Sequence, residues 1–357
     1  CESPPHGLHW TDKSDGERSM THCYRVAILG GGSFGTAIAN ICADNKHDVR
    51  LWLRNEARAK EINTSHCNSH YLPDIQLNPD LKAYTDLALA VEDCDVVFVA
   101  VPSKSSREVA RALAPLISAD CCVISTTKGI EPGGFLMMSQ VIREEIPTAR
   151  LGVMSGPNLA KELANREITA TVIASDDDGL NQRIQELLRS PYFRVYSGYD
   201  MFGVELGGAL KNVYAIVTGM ATALGSGTNT IALLLTRSLA EMSRFAVRKG
   251  ADPMTFMGLS GIGDLFVTCT SPLSRNFRVG YALGEGRDLD EVVAELGQVA
   301  EGVNTLRILK HQADELDVYM PLVNGLYDIV YQQRSIDEVV SEMMSAEQNN
   351  DVDFAEN

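Results

Sequence analysis

The chain has 357 residues, 45% apolar and 22% charged, enough to bury a full core and, at the usual ~100–200 residues per domain, to build two domains. No apolar run approaches the ~18–20 residues of a membrane-spanning helix, since the longest candidate, Val213–Leu224, is broken by Thr218, Gly219 and Thr222. A formal charge of −16 argues against general affinity for nucleic acid or anionic membranes, so an anionic small-molecule substrate would need a locally basic pocket.

Residues 1–23 read as a polar, disordered extension without the hydrophobic segment of a signal peptide, and Met20 is a candidate native start. From residue 24 to 200, short β-branched runs alternate with helical periodicity, the pattern of a parallel sheet with crossover helices. Strands are predicted at Arg25–Leu29, Val49–Leu53, Val96–Val101, Cys121–Ser125, Leu151–Val153, Thr171–Ala174 and Phe193–Tyr196. Helices are predicted between them at Phe34–Asp44, Glu56–Thr64, Ser106–Ile117, Leu136–Glu145, Leu159–Ala164 and Leu180–Arg189. From 201 to 345 the strand signal is gone. Helices are predicted at Gly203–Leu224, Thr230–Lys249, Pro253–Leu259, Asn276–Leu283, Leu289–Leu296, Asn304–Glu315, Pro321–Gln332 and Ile336–Met344, before an acidic tail at 346–357. The fold class is therefore an α/β Rossmann-type domain with a parallel sheet core, followed by an all-α domain.

Gly30-Gly31-Gly32-Ser33-Phe34-Gly35 fits G-x-G-x-x-G between a strand and a helix, the context that turns a glycine-rich string into a dinucleotide site. Gly30 allows the tight turn, Gly32 lets backbone approach a pyrophosphate, and Gly35 permits close helix–strand packing. A P-loop is excluded because its lysine would have to stand at Thr36. Arg54 follows the second strand, where an acidic residue would select the ribose hydroxyls of NAD; a cation there suits the 2′-phosphate of NADP, or is a solvated surface charge.

The eight cysteines contain no CxxC pair and read as reduced thiols of a cytoplasmic protein. His66 and His70 stand four apart but lack the glutamate of HExxH and a third ligand, so no metal is expected. Five further strings combine charge with small residues at element ends: Thr127-Lys128-Gly129-Ile130-Glu131, Ser155-Gly156-Pro157-Asn158, Leu210-Lys211-Asn212, Gly261-Ile262-Gly263-Asp264-Leu265 and Ser274-Arg275-Asn276. Lys211 lies in an uncharged helical stretch, where an unpaired ammonium would be costly without a functional partner.

In this order, after the glycine fingerprint, these strings resemble the bacterial-type glycerol-3-phosphate dehydrogenases from about Tyr24 to Met344. The resemblance implies a helical second domain like that of 6-phosphogluconate dehydrogenase, and reversible NAD(P)H-dependent reduction of dihydroxyacetone phosphate to glycerol 3-phosphate for glycerophospholipid synthesis. It implies that Ser33, Phe34, Arg54, Lys128, Ala160, Arg275, Val299 and Glu301 contact NAD(H) or NADP(H), and that Lys128, Gly156, Asn158, Lys211, Asp264, Ser274, Arg275 and Asn276 meet the substrate. Lys211 matches the family's proton donor and acceptor, with Lys128 and Asp264 completing the catalytic set. Asn158 departs from the Ser or Thr frequent in bacterial members. A homodimer is expected, with neither a nucleic-acid partner nor stable membrane insertion. Rival readings are a two-domain 3-hydroxyacid dehydrogenase, a ketopantoate reductase, or a coenzyme-binding regulator without turnover.

Overall fold

The computed structural model describes residues 22–295 and 301–346. The expectations for residues 1–21, for Val299 and for the tail beyond residue 346 lie outside the described residues. β1 (Arg25–Leu29), α1 (Ser33–Asp44), β2 (Asp48–Trp52), α2 (Glu56–Ser65), β3 (Lys82–Tyr84), α3 (Leu87–Val91), β4 (Val96–Val99) and α4 (Ser103–Leu113) form the first half of a sheet and its helices. β5 (Cys122–Ser125), α5 (Met138–Glu145), β6 (Arg150–Ser155), α6 (Ala160–Ala164), β7 (Thr169–Ala174), α7 (Asp178–Leu188) and β8 (Phe193–Gly198) complete it.

The strand order is β3-β2-β1-β4-β5-β6-β7-β8, with every neighbouring pair parallel except β6 and β7. That pair corrects the parallel reading. Its connection carries only the five-residue α6, short of the full crossover helix that usually joins parallel strands, and the chain reverses. β3 and α3 are too short for a periodic signal and do not figure among the predicted elements. The helix predicted from Ser106 starts at Ser103, directly after Pro102.

Successive residues of β1 point to opposite faces, so Val26 and Ile28 join the core beneath α1, whereas Ala27 and Leu29 join the core beneath α4. Sequence order reverses between β1 and β4. The turns leaving their carboxyl ends therefore flank the crevice where open α/β sheets bind ligands.

α8 (Met201–Ala223) begins two residues after β8 and is almost wholly buried, with Glu205 and Lys211 its only charged residues. α9 (Thr228–Arg248), α10 (Asp264–Thr270), α11 (Arg275–Gly284), α13 (Glu301–Glu315) and α14 (Pro321–Gln332) pack against it, α12 (Leu289–Glu295) against α11, and α15 (Ile336–Ser345) against α14. In place of the helix predicted at Pro253–Leu259, the chain makes a 3-10 turn at Pro253–Met257, then a π-helical turn at Leu259–Gly263 that runs into α10. Glycines at 258, 261 and 263 weaken any local helical preference, so packing decides the path there. Among the described residues, no helix is long and apolar enough to cross a membrane.

Candidate active site

The loop from Gly30 to Gly35 has the shape its spacing demands. Gly30 sits at φ +129°, and a Cβ there would lie 2.4 Å from the Ala100 carbonyl oxygen. A Cβ on Gly35 would strike the Gly30 carbonyl oxygen, whereas one on Gly32 would meet nothing within 4 Å. That open face lies at the start of α1, which has no side-chain cap and presents free N–H groups and positive dipole. The cradle fits a dinucleotide pyrophosphate.

A neighbouring segment braces this loop. Buried Asn68 donates through Nδ2 to the Gly31 carbonyl (3.1 Å) and to Thr36 Oγ1 (2.8 Å), while Ser33 Oγ donates to the Tyr71 carbonyl (3.1 Å). Phe34 is half-buried against the core. Arg54 is exposed just beyond β2, its guanidinium 3.2 Å from Glu108 and 6.0 Å from the centre of the Trp52 ring. Ala160 opens α6.

Three elements distant in sequence meet at Asp264, the first residue of α10. Lys128 lies three residues beyond β5, in a turn held by Thr126 and Thr127, whose hydroxyls donate to the carbonyls of Val99 (2.9 Å) and Val101 (2.8 Å). Its Nζ donates to Asp264 Oδ2 (2.7 Å) and to the Gly156 carbonyl (3.2 Å). Lys211 Nζ, on α8, donates to Asp264 Oδ1 and to Thr268 Oγ1, the latter at 2.9 Å. Ser155 Oγ adds a longer bond to Asp264 Oδ2 at 3.4 Å. The side chains of Asp264 and Lys211 are only 1% and 7% exposed, against 24% for Lys128, so Lys128 is the more open of the two ammoniums. Burial lowers the pKa of Lys211 well below the usual lysine range, nearby Lys128 lowers it further, and the Asp264 carboxylate opposes both.

Ser274, Arg275 and Asn276 occupy the start of α11. Ser274 is its N-cap, accepting from Phe277 N–H at 3.3 Å. Arg275 is the exposed first residue, and buried Asn276 accepts the Gly302 N–H at 3.0 Å. Asn158 Nδ2 donates to Thr171 Oγ1 (2.8 Å), leaving its Oδ1 buried without a partner among the described residues. Glu301 takes a place sequence reading did not anticipate, at the start of α4. Its carboxylate accepts from Ser103 Oγ (2.9 Å) and Ser103 N–H (3.4 Å). Burial raises its pKa, against the Ser103 donors and the Lys104 and Arg275 charges.

Thr268, Ser155 and Ser103 were absent from the expected site. Thr268 had a readable signal, because it lies one turn after Asp264 on the same helix and so shares its face. The pairing of Ser103 with Glu301 had none, since the two are 198 residues apart.

A glycine cradle at a Rossmann switch point, joined to a lysine–aspartate–lysine cluster that the sheet half and the helical second half build together, defines a dinucleotide-dependent oxidoreductase. The family models for the N-terminus and the C-terminus of NAD-dependent glycerol-3-phosphate dehydrogenase match residues 25–181 and 200–341, and the chain belongs to that family. It is 54% identical to glycerol-3-phosphate dehydrogenase [NAD(P)+] of Saccharophagus degradans, covering 94% of each chain. It is 55% identical to that of Teredinibacter turnerae, covering 94% of this chain and 98% of the relative. The crystal structure of the Coxiella burnetii glycerol-3-phosphate dehydrogenase superposes with a TM-score of 0.86 at 36% identity, over 91% of this chain and 99% of that one. A ketopantoate reductase from Ralstonia eutropha, at 15% identity and a TM-score of 0.55, shares the fold alone.

Proposed function

We propose that this chain interconverts dihydroxyacetone phosphate and glycerol 3-phosphate with NAD(H) or NADP(H), and that Lys211 moves the proton. The observation that carries the reading is the pair of ammoniums held on the two oxygens of buried Asp264. When bound, the coenzyme supplies the hydride. In reduction, negative charge develops on the ketone oxygen, and an ammonium beside it both stabilises that charge and delivers the proton. Lys211 suits the task because its lowered pKa weakens its hold on the proton near neutral pH. Asp264 fixes both lysines in place, and Lys128 adds positive charge beside the reacting oxygen. Gly156 and Asn158 line the same side.

Arg275, with Ser274, Asn276 and the first N–H groups of the ten-residue α11, binds the substrate phosphate, the basic pocket that a strongly acidic chain needs. Gly30, Gly32, Ser33, Phe34 and Gly35 hold the coenzyme pyrophosphate, Arg54 reaches the adenosine ribose, and Ala160, Val299 and Glu301 complete the coenzyme site. Residues 24–200 form the coenzyme half and 201–345 the catalytic half of a cytoplasmic homodimer that provides glycerol 3-phosphate for glycerophospholipid synthesis. The names of its relatives support this reading over a ketopantoate reductase.

Steady-state reduction of dihydroxyacetone phosphate, ketopantoate and a 3-oxo acid, each with NADH and with NADPH, tests it. Turnover of dihydroxyacetone phosphate with at least one coenzyme is expected. Turnover of only one of the other two acids would sink the reading. Sedimentation equilibrium tests the assembly, where a monomer at micromolar concentration would exclude the dimer.

A further inference from the structure

Glu205, Gly208 and Lys211 recur every three residues along α8, with Glu205 at the carboxyl end of β5, Gly208 at that of β6 and Lys211 on Asp264 of α10. A Cβ on Gly208 would lie 2.8 Å from Ser155 Oγ and 3.6 Å from Lys128 Cγ, so at this point the helix rests directly on the elements that carry the sheet's share of the site. One turn before Gly208, the Glu205 carboxylate is buried and accepts from Ser125 Oγ (3.2 Å), from the Ser139 backbone N–H (2.9 Å) and from Ser139 Oγ. Ser125 ends β5, three residues before Lys128, and Ser139 lies in the first turn of α5, where backbone N–H groups lack helical partners.

Among the described residues no cation pairs with this carboxyl, whose partners are three neutral donors. Burial pushes its pKa up to about 7, against the Ser139 and Ser125 donors. Such a group costs free energy that an apolar side chain in the same place would not. What it provides is direction, since all its bonds cross from α8 to the sheet half, one to Ser125 at the end of the strand that leads to Lys128 and two to Ser139 at the start of α5.

We propose that Glu205 is a positioning residue that sets the register of α8 on the sheet and thereby the meeting of Lys211 with Lys128 at Asp264. The inference rests on the reading of those lysines as the catalytic pair. It acts through geometry, to which proton transfer is sensitive: a 1 Å misplacement can cost on the order of 10²-fold in rate.

The test is kcat, KM and the pH profile of kcat for dihydroxyacetone phosphate reduction by Glu205→Asp, Glu205→Gln and Ser125→Ala/Ser139→Ala, on folded protein, with Lys211→Met alongside. Glu205→Asp withdraws the carboxyl by one methylene. It should lower kcat by at least about tenfold and shift the basic limb of the profile, while the coenzyme KM changes by less than about twofold. Glu205→Gln keeps the length, accepts from the Ser139 N–H and Ser125 Oγ with its oxygen and donates to Ser139 Oγ with its amide nitrogen, and should return kcat to within about threefold of wild type. Should Glu205→Asp fail to fold, the double serine variant leaves Glu205 in place, removes two of its three donors, and should shift kcat and the profile in the same direction. Wild-type kcat and pH profile in the folded Asp or double serine variant would overturn the inference, as would a loss that follows thermal stability alone. Full turnover by Lys211→Met would overturn the lysine reading and this inference with it. Loss of turnover there with unaltered Glu205 and serine variants would overturn this inference alone.

Discussion

A lysine ammonium taken out of water loses its hydration, and Lys211 regains one carboxylate oxygen and one hydroxyl in exchange. The acid in ketone reduction must carry its proton, so kcat for reduction should fall as pH rises through the lowered Lys211 pKa, below the ordinary lysine value of 10.5. Oxidation of glycerol 3-phosphate needs the free amine and should rise across the same interval. Rate profiles in both directions check this, and a reduction rate that stays flat up to the ordinary lysine value would contradict it. Lys211→Met keeps most of the bulk and removes the proton, so kcat should drop by about 10²–10⁴-fold with little change in coenzyme affinity. At the start of α11, Arg275 offers the planar fork that the proposed phosphate contact requires. Arg275→Ala should therefore damage use of dihydroxyacetone phosphate far more than use of unphosphorylated dihydroxyacetone, and equal losses on both would exclude a phosphate-specific role.

Helices in this molecule are placed by what their backbones can touch. α8 and α11 cross so closely that a Cβ on Gly280 would lie 1.9 Å from the Ile216 carbonyl oxygen, and one on Gly219 would lie 2.1 Å from that of Phe277. Gly280→Ala would gain about 1 kcal/mol of helix propensity. The clash is with backbone, so α8 and α11 would have to separate, and overpacking typically costs about 1–3 kcal/mol. Net destabilisation in urea unfolding is the expected result, and a variant as stable as wild type would mean that the crossing tolerates a methyl group. Helix starts divide in the same way. Glu301 occupies that of α4, and Glu241 that of α14, where it accepts the Leu322 N–H (2.7 Å) and Val323 N–H (3.3 Å). The start of α1 has no side-chain cap and faces the open side of Gly32, which leaves its N–H groups for phosphate.

At the scale of the whole molecule, Glu205 and Glu241 are both buried, and burial pushes each up to about 7 from the ordinary value of 4.5. Between those two values the folded chain holds protons that the unfolded chain releases. Their contribution to stability is therefore full below the unfolded value and is lost as pH rises through about 7. Glu241→Gln removes one of these titrations, so its melting temperature should fall less steeply than wild type between about pH 5 and pH 7.5. Thermal melts of both proteins across that interval measure the difference, and parallel curves would show that Glu241 does not titrate there.

The sequence by itself determined the glycine loop, most strands of the sheet and the long helices of the second half. Each is written in local spacing: period two in strands, three to four in helices, and fixed offsets in the loop. Only the tertiary structure decided the antiparallel β7, the short β3, and the π-helical turn leading into α10. It alone brought Lys128 to Asp264 across 136 residues and Glu301 to Ser103 across 198. The physical reason is that a side chain's character is local, whereas its partner is chosen by the path of the chain and by which backbones can approach. Glu205 illustrates the difference: the sequence shows a charge in an apolar helix, and only the packing of α8 on β5 and α5 shows what that charge holds.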